Sequence, residues 1–211
     1  ASLYDVFVSG LGTEARPSEL TADLGRSWGI ADGYHKIYAC CQYSHSAVEA
    51  LETLLTRRPD VVAVRDVERI IVETHWRGLT LDNPRPATSL AAKFSLPHII
   101  ATTSHLRHAG AEAFSATTLD DPAIAGLRER VELRRYEPEF PWPEDRPARV
   151  TWILRTGERL EAECRSARGG PDRPFMPSEI LDKVRKITTP VYPNLPNIGE
   201  KGVILGVIPI L

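Results

Sequence analysis

The spacing of apolar residues predicts a helix in the first third of the chain. An apolar stripe at helical spacing runs through residues 46–56, and its members are Val48, Leu51, Leu54 and Leu55. Ser46 and Glu49 fit a capping box at its start, and Pro59 follows its end. We therefore expect a helix that begins at Ser46 and ends before Pro59.

Helical signals recur in four other stretches. Ser95 can cap a helix whose first turn holds Pro97, so we expect a helix from Leu96 to about Gly110. Shorter helices are predicted within 16–25, 117–131 and 177–187.

Alternating and β-branched residues predict strands at three places. Residues 67–75 and 131–137 are β-rich, and 149–165 reads as a hairpin that turns at Thr156–Gly157. Within the hairpin, Val150, Trp152 and Leu154 should face inward. Strands and helices mix without a strict βαβ rhythm, so the fold class is α+β, with antiparallel strands and packed helices.

Composition and charge exclude some classes of protein. The chain has 211 residues, of which 42% are hydrophobic and 26% charged, and its formal net charge is −2 without a basic stripe. Nucleic acid is therefore not an expected partner. The apolar ending GVILGVIPIL is too short for a membrane span, which needs about 20 residues, and no signal peptide is visible at the start. Three cysteines give no even disulfide framework, so we expect a cytoplasmic protein.

Residues 34–51 concentrate the reactive side chains of the chain. His35, Cys40, Cys41 and His45 lie close together, but their spacing lacks the second ligand pair of a zinc site and there is no redox CxxC motif. Another interpretation is an anion site, because His45 and His98 fall where helices are predicted to begin and Lys36 adds a cation. Each residue also has an ordinary explanation, namely a helix cap, a surface lysine or a histidine at the edge of the core.

Three stretches together resemble the MmgE/PrpD family. They are GYHKIYACCQYSHSAVEAL, AAKFSLPHIIA and GGPDRPFMPSEILDKVRKI, and the resemblance extends from about residue 5 to residue 190. It implies enzymes such as 2-methylcitrate dehydratase, cis-aconitate decarboxylase and iminodisuccinate epimerase, which act on small polycarboxylates without a metal or organic cofactor, usually as homodimers. It also implies a site between a large helical domain and a smaller α+β lid.

By the same resemblance, the chain divides into three segments. Residues 1–30 would end a helical-domain segment, 31–172 would form the lid, and 173–211 would form a C-terminal helix and an apolar tail. The helical portion that completes the site has no counterpart here, so we expect the isolated chain to be inactive. We also expect it to self-associate or to bind a helical partner, through apolar faces of the predicted Ser46–Thr56 and Leu96–Gly110 helices and through 203–211.

The resemblance also assigns roles to single residues. Lys36 matches a lysine that reaches the substrate, Cys41 stands where the decarboxylases have histidine, and His98 stands where tyrosine is more usual. The predicted catalytic residues are Lys36, His45 and His98, and the predicted substrate-binding residues are Tyr38, Cys41 and Ser95.

These assignments predict a lyase that removes water from a β-hydroxy polycarboxylate such as 2-methylcitrate, without metal or cofactor. The reaction needs a base, an acid and cations for the carboxylates. The alternatives are a decarboxylase, an isomerase or epimerase on the same scaffold, and a non-catalytic fragment that docks onto a helical partner. Membranes are not an expected partner.

Overall fold

The computed structural model describes residues 22–26, 28 and 33–193, and its larger compact unit begins at Tyr34. Within the described residues, seven α-helices are present: α1 His45–Arg57, α2 Ala63–Asp66, α3 Ser89–Ala92, α4 Leu96–Leu106, α5 Ala116–Leu119, α6 Pro122–Arg128 and α7 Pro177–Thr188. The strands are β1 Val67–Thr74, β2 Val131–Arg135, β3 Ala148–Leu154 and β4 Arg159–Cys164. Short 3-10 turns occur at Gln42–Ser44, Gly78–Thr80 and Ala111–Phe114.

The four strands form one mixed sheet in the order β2-β1-β3-β4, which confirms the predicted α+β class. The pairs β1–β3 and β3–β4 are antiparallel, with Trp152 opposite both Ile70 and Leu160. The pair β1–β2 is parallel, with Ile70 opposite Val131. A parallel pair needs a long crossover connection, and helices α3 to α6 lie in that connection.

The core lies between the sheet and helices α1, α4 and α6. The predicted inward positions of the hairpin are confirmed, since Val150, Trp152 and Leu154 are all buried. Gly157 makes the hairpin turn with a φ of 87°, in the left-handed region that favours glycine.

Two predicted helix boundaries are wrong. Helix α1 begins at His45 after a 3-10 turn, and Ser46 and Glu49 form no capping box. The Glu49 carboxylate instead accepts a hydrogen bond of 2.7 Å from the backbone N–H of Arg168. Helix α4 starts at Leu96 as predicted, but it ends at Leu106 because Arg107 adopts a left-handed φ of 63°.

The exposed apolar surface is not where we expected it. Nine of the eleven residues of α4 are buried, and so is the apolar stripe of α1. Large apolar side chains that are more than half exposed lie outside both helices, and they include Trp76, Leu90, Phe94 and Trp142.

Other predictions fall partly or wholly outside the described residues. The tail 203–211 and residues 16–21 of the predicted helix at 16–25 lie outside the described residues. Residues 22–26 are a turn, not a helix, with positive φ at Asp23 and Gly25. The three-segment division of the chain stays a prediction. No helix in the described part is long and apolar enough to cross a membrane.

Candidate functional site

The three stretches that carry the family resemblance meet at residues 34–41, here called the Lys36 segment. The backbone N–H of His35 donates to the carbonyl of Gly169 at 2.8 Å, and the N–H of Cys41 donates to the carbonyl of Lys93 at 2.8 Å. The ammonium group of Lys183 donates to the carbonyl of Lys36. Residues far apart in sequence therefore fix the backbone on both sides of Lys36.

Gly169 permits this close approach. Its φ is +113°, and a Cβ atom built there would lie 2.1 Å from the carbonyl oxygen of His35 and 3.0 Å from Cε1 of Tyr34. Neither the backbone conformation nor the space allows another residue type without movement. The glycine thus sets how closely the third stretch packs against the Lys36 segment.

Two tyrosines anchor the segment, one at its start and one in its middle. The Tyr34 hydroxyl donates to the carbonyl of Ala167 at 2.5 Å, and the Tyr38 hydroxyl donates to the Glu52 carboxylate at 2.5 Å. Burial raises the pKa of Tyr34 to about 12. Burial, followed by the Glu52 charge, raises the pKa of Tyr38 above its usual range. Both phenols are therefore protonated donors at neutral pH, and that of Tyr38, predicted to bind substrate, is held by Glu52.

His45 is a neutral, almost fully buried imidazole. It is 1% exposed, and its Nε2 atom has no hydrogen-bond partner among the described residues. Its ring packs edge-on against Tyr38 with the ring centroids 5.1 Å apart. Burial first, and the charge of Lys36 second, lower the pKa of His45 to about 4. At neutral pH the ring is therefore protonated only if positive charge near it is removed or a negatively charged group binds beside it.

Three cations act on that ring, and one of them, Arg146, is paired with Asp145 at 3.3 Å. The cations Lys36, Lys183 and Arg146 each lower the pKa of His45, and Lys36 itself is exposed. Burial, and then repulsion from Lys36, lower the pKa of Lys183. Such a cluster attracts anions, and carboxylates are the common small anions that pair with lysine.

The two adjacent cysteines differ in environment. Burial raises the pKa of the Cys40 thiol to about 11, which keeps it protonated and unreactive. Cys41 is half-buried against the core, and its carbonyl accepts a hydrogen bond of 2.6 Å from the Ser44 hydroxyl. All three cysteines are free thiols. In the described part of the chain, no group of three His, Cys, Asp or Glu side chains is placed to hold a metal.

His98 and Ser95 belong to another set of contacts. The Ser95 hydroxyl donates to the carbonyl of Asn83 at 2.5 Å and accepts from the N–H of His98 at 3.1 Å. This hydroxyl therefore occupies the anion position that we expected at the start of α4. His98 is 0% exposed, with Nδ1 3.2 Å from the Arg128 guanidinium and Nε2 3.4 Å from the Thr118 hydroxyl.

The surroundings of His98 keep it neutral and enclosed. Burial, and then the Arg128 charge, lower its pKa to about 4. The Thr118 hydroxyl donates to the carbonyl of Ser115 at 2.8 Å, so it accepts a hydrogen bond from the Nε2–H of His98, while Nδ1 accepts one from Arg128. The structure thus brings Lys36, Tyr38, Cys41 and His45 together and gives His98 and Ser95 partners in the interior.

Sequence reasoning missed Gly169, Lys183 and Arg146 as residues of this site. Only the structure shows that His35 lies against Gly169. Lys183 and Arg146 look like surface cations because nothing in their local pattern connects them to residue 36.

Comparison with known proteins agrees with the family resemblance of the three stretches. The MmgE/PrpD C-terminal domain matches residues 38–198. The cis-aconitate decarboxylase-like protein oryM of Aspergillus oryzae is 27% identical over 200 residues, which is 88% of this chain and 40% of that protein. A cis-aconitate decarboxylase of Aspergillus terreus is 31% identical over 106 residues, which is 46% of this chain and 21% of that protein.

The chain therefore spans less than half the length of these relatives. The family match, in contrast, covers most of the chain. It includes the last four residues of the Lys36 segment, from Tyr38 to Cys41. On that match, this chain belongs to the MmgE/PrpD family.

Proposed function

We propose that the protein is a lyase that acts on a small di- or tricarboxylic acid at a site built around the Lys36 segment. The observation that carries this proposal is the group of three cations, Lys36, Lys183 and Arg146, around a buried and neutral His45. A polycarboxylate is the substrate class whose charge such a group complements. Membership of a family with decarboxylase relatives supports the lyase class.

The first candidate reaction is elimination of water from a β-hydroxy acid such as 2-methylcitrate. A base removes the proton on the carbon next to a carboxylate, a C=C bond forms, and the C–O bond breaks as an acid protonates the departing hydroxyl. Negative charge develops on the carboxylate during proton removal, and a nearby cation stabilises it. Lys36 is exposed, so it can bind that carboxylate or protonate the leaving group.

Proton transfer also requires a base, and His45 and His98 are the two candidates. A bound carboxylate would offset the positive charge that lowers the pKa of His45, so His45 becomes a better base when substrate is present. His98 is held by Arg128 and Thr118. We therefore assign it a positioning role at the start of α4.

The second candidate reaction is decarboxylation, which the names of the Aspergillus terreus and Aspergillus oryzae relatives favour. In cis-aconitate decarboxylation, a C–C bond to a carboxylate breaks, CO₂ leaves, and a carbon takes up a proton. The half-buried Cys41 thiol stands where the family resemblance places a histidine in decarboxylases, and this difference favours dehydration. Epimerisation needs the same proton removal without a leaving group.

The Lys36 segment forms one wall of the proposed site. We propose that a helical domain or a second subunit supplies the opposite wall, that the working protein is a homodimer, and that it acts in the cytoplasm. The exposed position of Lys36 supports an open site of this kind.

The test is an assay of the native protein, at the chain length that the cell makes, with 2-methylcitrate and with cis-aconitate in D₂O. Proton NMR would follow loss of water, evolved CO₂ would be measured, and deuterium uptake without elimination would reveal epimerisation. We expect an unsaturated tricarboxylate from 2-methylcitrate. CO₂ release from cis-aconitate would establish the second candidate, and no reaction of either acid would overturn the lyase proposal for these substrates.

A further inference from the structure

Tyr38 contacts two residues that lie two turns apart on one face of helix α1. Its hydroxyl donates a hydrogen bond of 2.5 Å to the Glu52 carboxylate. Its ring packs edge-on against the His45 imidazole, with the centroids 5.1 Å apart and the ring planes at 86°. Residues at the spacing of His45 and Glu52 share a side of a helix. One tyrosine side chain therefore lies along α1 from the histidine to the carboxylate.

The imidazole of His45 is enclosed partly by this ring. Only 6% of Tyr38 and 1% of His45 is exposed. The Tyr34 ring also packs against His45, with the centroids 6.4 Å apart. The Tyr34 hydroxyl is bonded to the carbonyl of Ala167, so each phenol ring is held in place through its own hydroxyl.

Glu52 serves Tyr38 rather than a cation. Among the described residues, its carboxylate accepts a hydrogen bond from Tyr38 alone and has no cation within ion-pair distance. Burial raises the pKa of this carboxyl, so its charged form costs folding free energy where it stands. A charge kept at such a cost points to a role other than stability.

We infer that Glu52 is a positioning residue of the proposed site, where its carboxylate fixes the Tyr38 ring against His45 and keeps water from the imidazole. This inference rests on the proposed function, in which His45 moves a proton. Without the contact, the Tyr38 ring could turn away, and water could reach the Nε2 atom of His45, which has no partner in the described part of the chain.

Hydration of the ring would change when His45 takes up a proton. Burial is the largest cause of its low pKa, so partial exposure should raise the pKa from about 4 toward the ordinary 6.5. The charges of Lys36, Lys183 and Arg146 would still oppose the rise. Below neutral pH, part of the protein would then hold a protonated imidazole before substrate binds, and that fraction could not act as the base.

The first test is an NMR titration of His45 in the ligand-free native protein. Glu52→Ala should raise the pKa of His45 from about 4 to about 5 or more. Two controls should leave it within about 0.3 of the wild-type value. The amide of Glu52→Gln can still accept from Tyr38, and Glu112→Ala removes a charge from the groove that Glu52 and Tyr38 also line. Loss of negative charge alone would lower the pKa of His45, so the sign of the change separates hydration from charge.

Tyr38→Phe removes the same hydrogen bond from its other end. If Glu52 and Tyr38 act through one contact, the double variant should raise the pKa of His45 no more than either single variant does. Additive effects, or equal behaviour of Glu52→Ala and Glu52→Gln, would overturn the positioning role.

The second test measures turnover of 2-methylcitrate and cis-aconitate at pH 6. A residue that acts only through Tyr38 should affect kcat more than KM, so Glu52→Ala should lower kcat about tenfold and change KM less than about twofold. An unchanged kcat in a variant with a raised His45 pKa would overturn the role of the contact in turnover. Wild-type protein that converts neither acid would overturn the proposed function, whereas the titration would still decide whether Glu52 holds the ring over His45.

Discussion

Substitution of Gly169 by alanine tests whether the Lys36 segment is held by a close backbone approach. The new Cβ would lie 2.1 Å from the carbonyl oxygen of His35 and 2.9 Å from Cε2 of Phe175, where ordinary contacts need more than 3.4 Å. The His35 backbone must therefore move by about 1 Å, and its neighbour Lys36 moves with it. A displacement of that size in an active site can lower turnover about 100-fold.

The effect on stability has two parts. A non-glycine residue at a φ of +113° is strained by about 1–3 kcal/mol. Forcing backbone and ring atoms apart adds about 1–3 kcal/mol, as in other overpacked sites. We therefore expect the free energy of unfolding to fall by about 3 kcal/mol or more.

Two other glycines provide matched controls for the two parts. Gly157 has a φ of +87° but no atom within 4 Å of its Cβ position, so Gly157→Ala should be destabilised by strain alone, about 1 kcal/mol. Gly126 lies in α6 with open space around it, so Gly126→Ala should be stabilised by about 0.5–1 kcal/mol. Urea denaturation of the three variants, with turnover of the native protein, would check this order. Equal stability of Gly169→Ala and Gly157→Ala would refute the close-approach argument.

Three further predictions concern charge, pH and metals. Lys36→Ala should lower turnover at least about 100-fold with little change in unfolding, because the side chain is exposed, and an unchanged rate would remove Lys36 from the site. Because the pKa of His98 is about 4 in the folded protein and about 6.5 in the unfolded chain, the unfolded chain binds more protons between those values, and stability should fall as pH drops through that window. His98→Gln, whose amide can replace both ring contacts, should flatten this dependence in urea denaturation from pH 4 to 8, and an identical slope would contradict the assignment. Elemental analysis should find no stoichiometric zinc or iron, and loss of activity on chelation would overturn the cofactor-free reaction.

The local patterns of the sequence predicted most elements of the fold. Strand β1, the β3–β4 hairpin and the start of α4 at Ser95 follow from alternation, turn residues and capping, which depend only on neighbours in the chain. The parallel pairing of β1 with β2 was not predicted, because it joins segments that 56 residues separate. The capping box at Ser46 failed for a similar reason, since the Glu49 carboxylate binds the distant backbone of Arg168.

The candidate site was predicted in part. Lys36, Cys41 and His45 share one short stretch, so their proximity follows from the sequence itself. The burial of His98 does not, because its partners Arg128 and Thr118 come from later segments. Lys183 was missed because a lysine on an amphipathic helix gives no sign of which distant backbone it will contact.

Three carboxylates near the Lys36 segment bear on whether its positive charge is available to a substrate. Glu52 accepts the hydrogen bond of the Tyr38 hydroxyl. Glu49 binds the backbone of Arg168 and lies 3.5 Å from the Arg173 guanidinium, and Glu179 is paired with Arg168. Each of these three acids is thus engaged by a partner other than lysine. A neutral substrate would leave the lysines repelling each other, whereas a polycarboxylate would relieve that repulsion and make His45 easier to protonate at the same time.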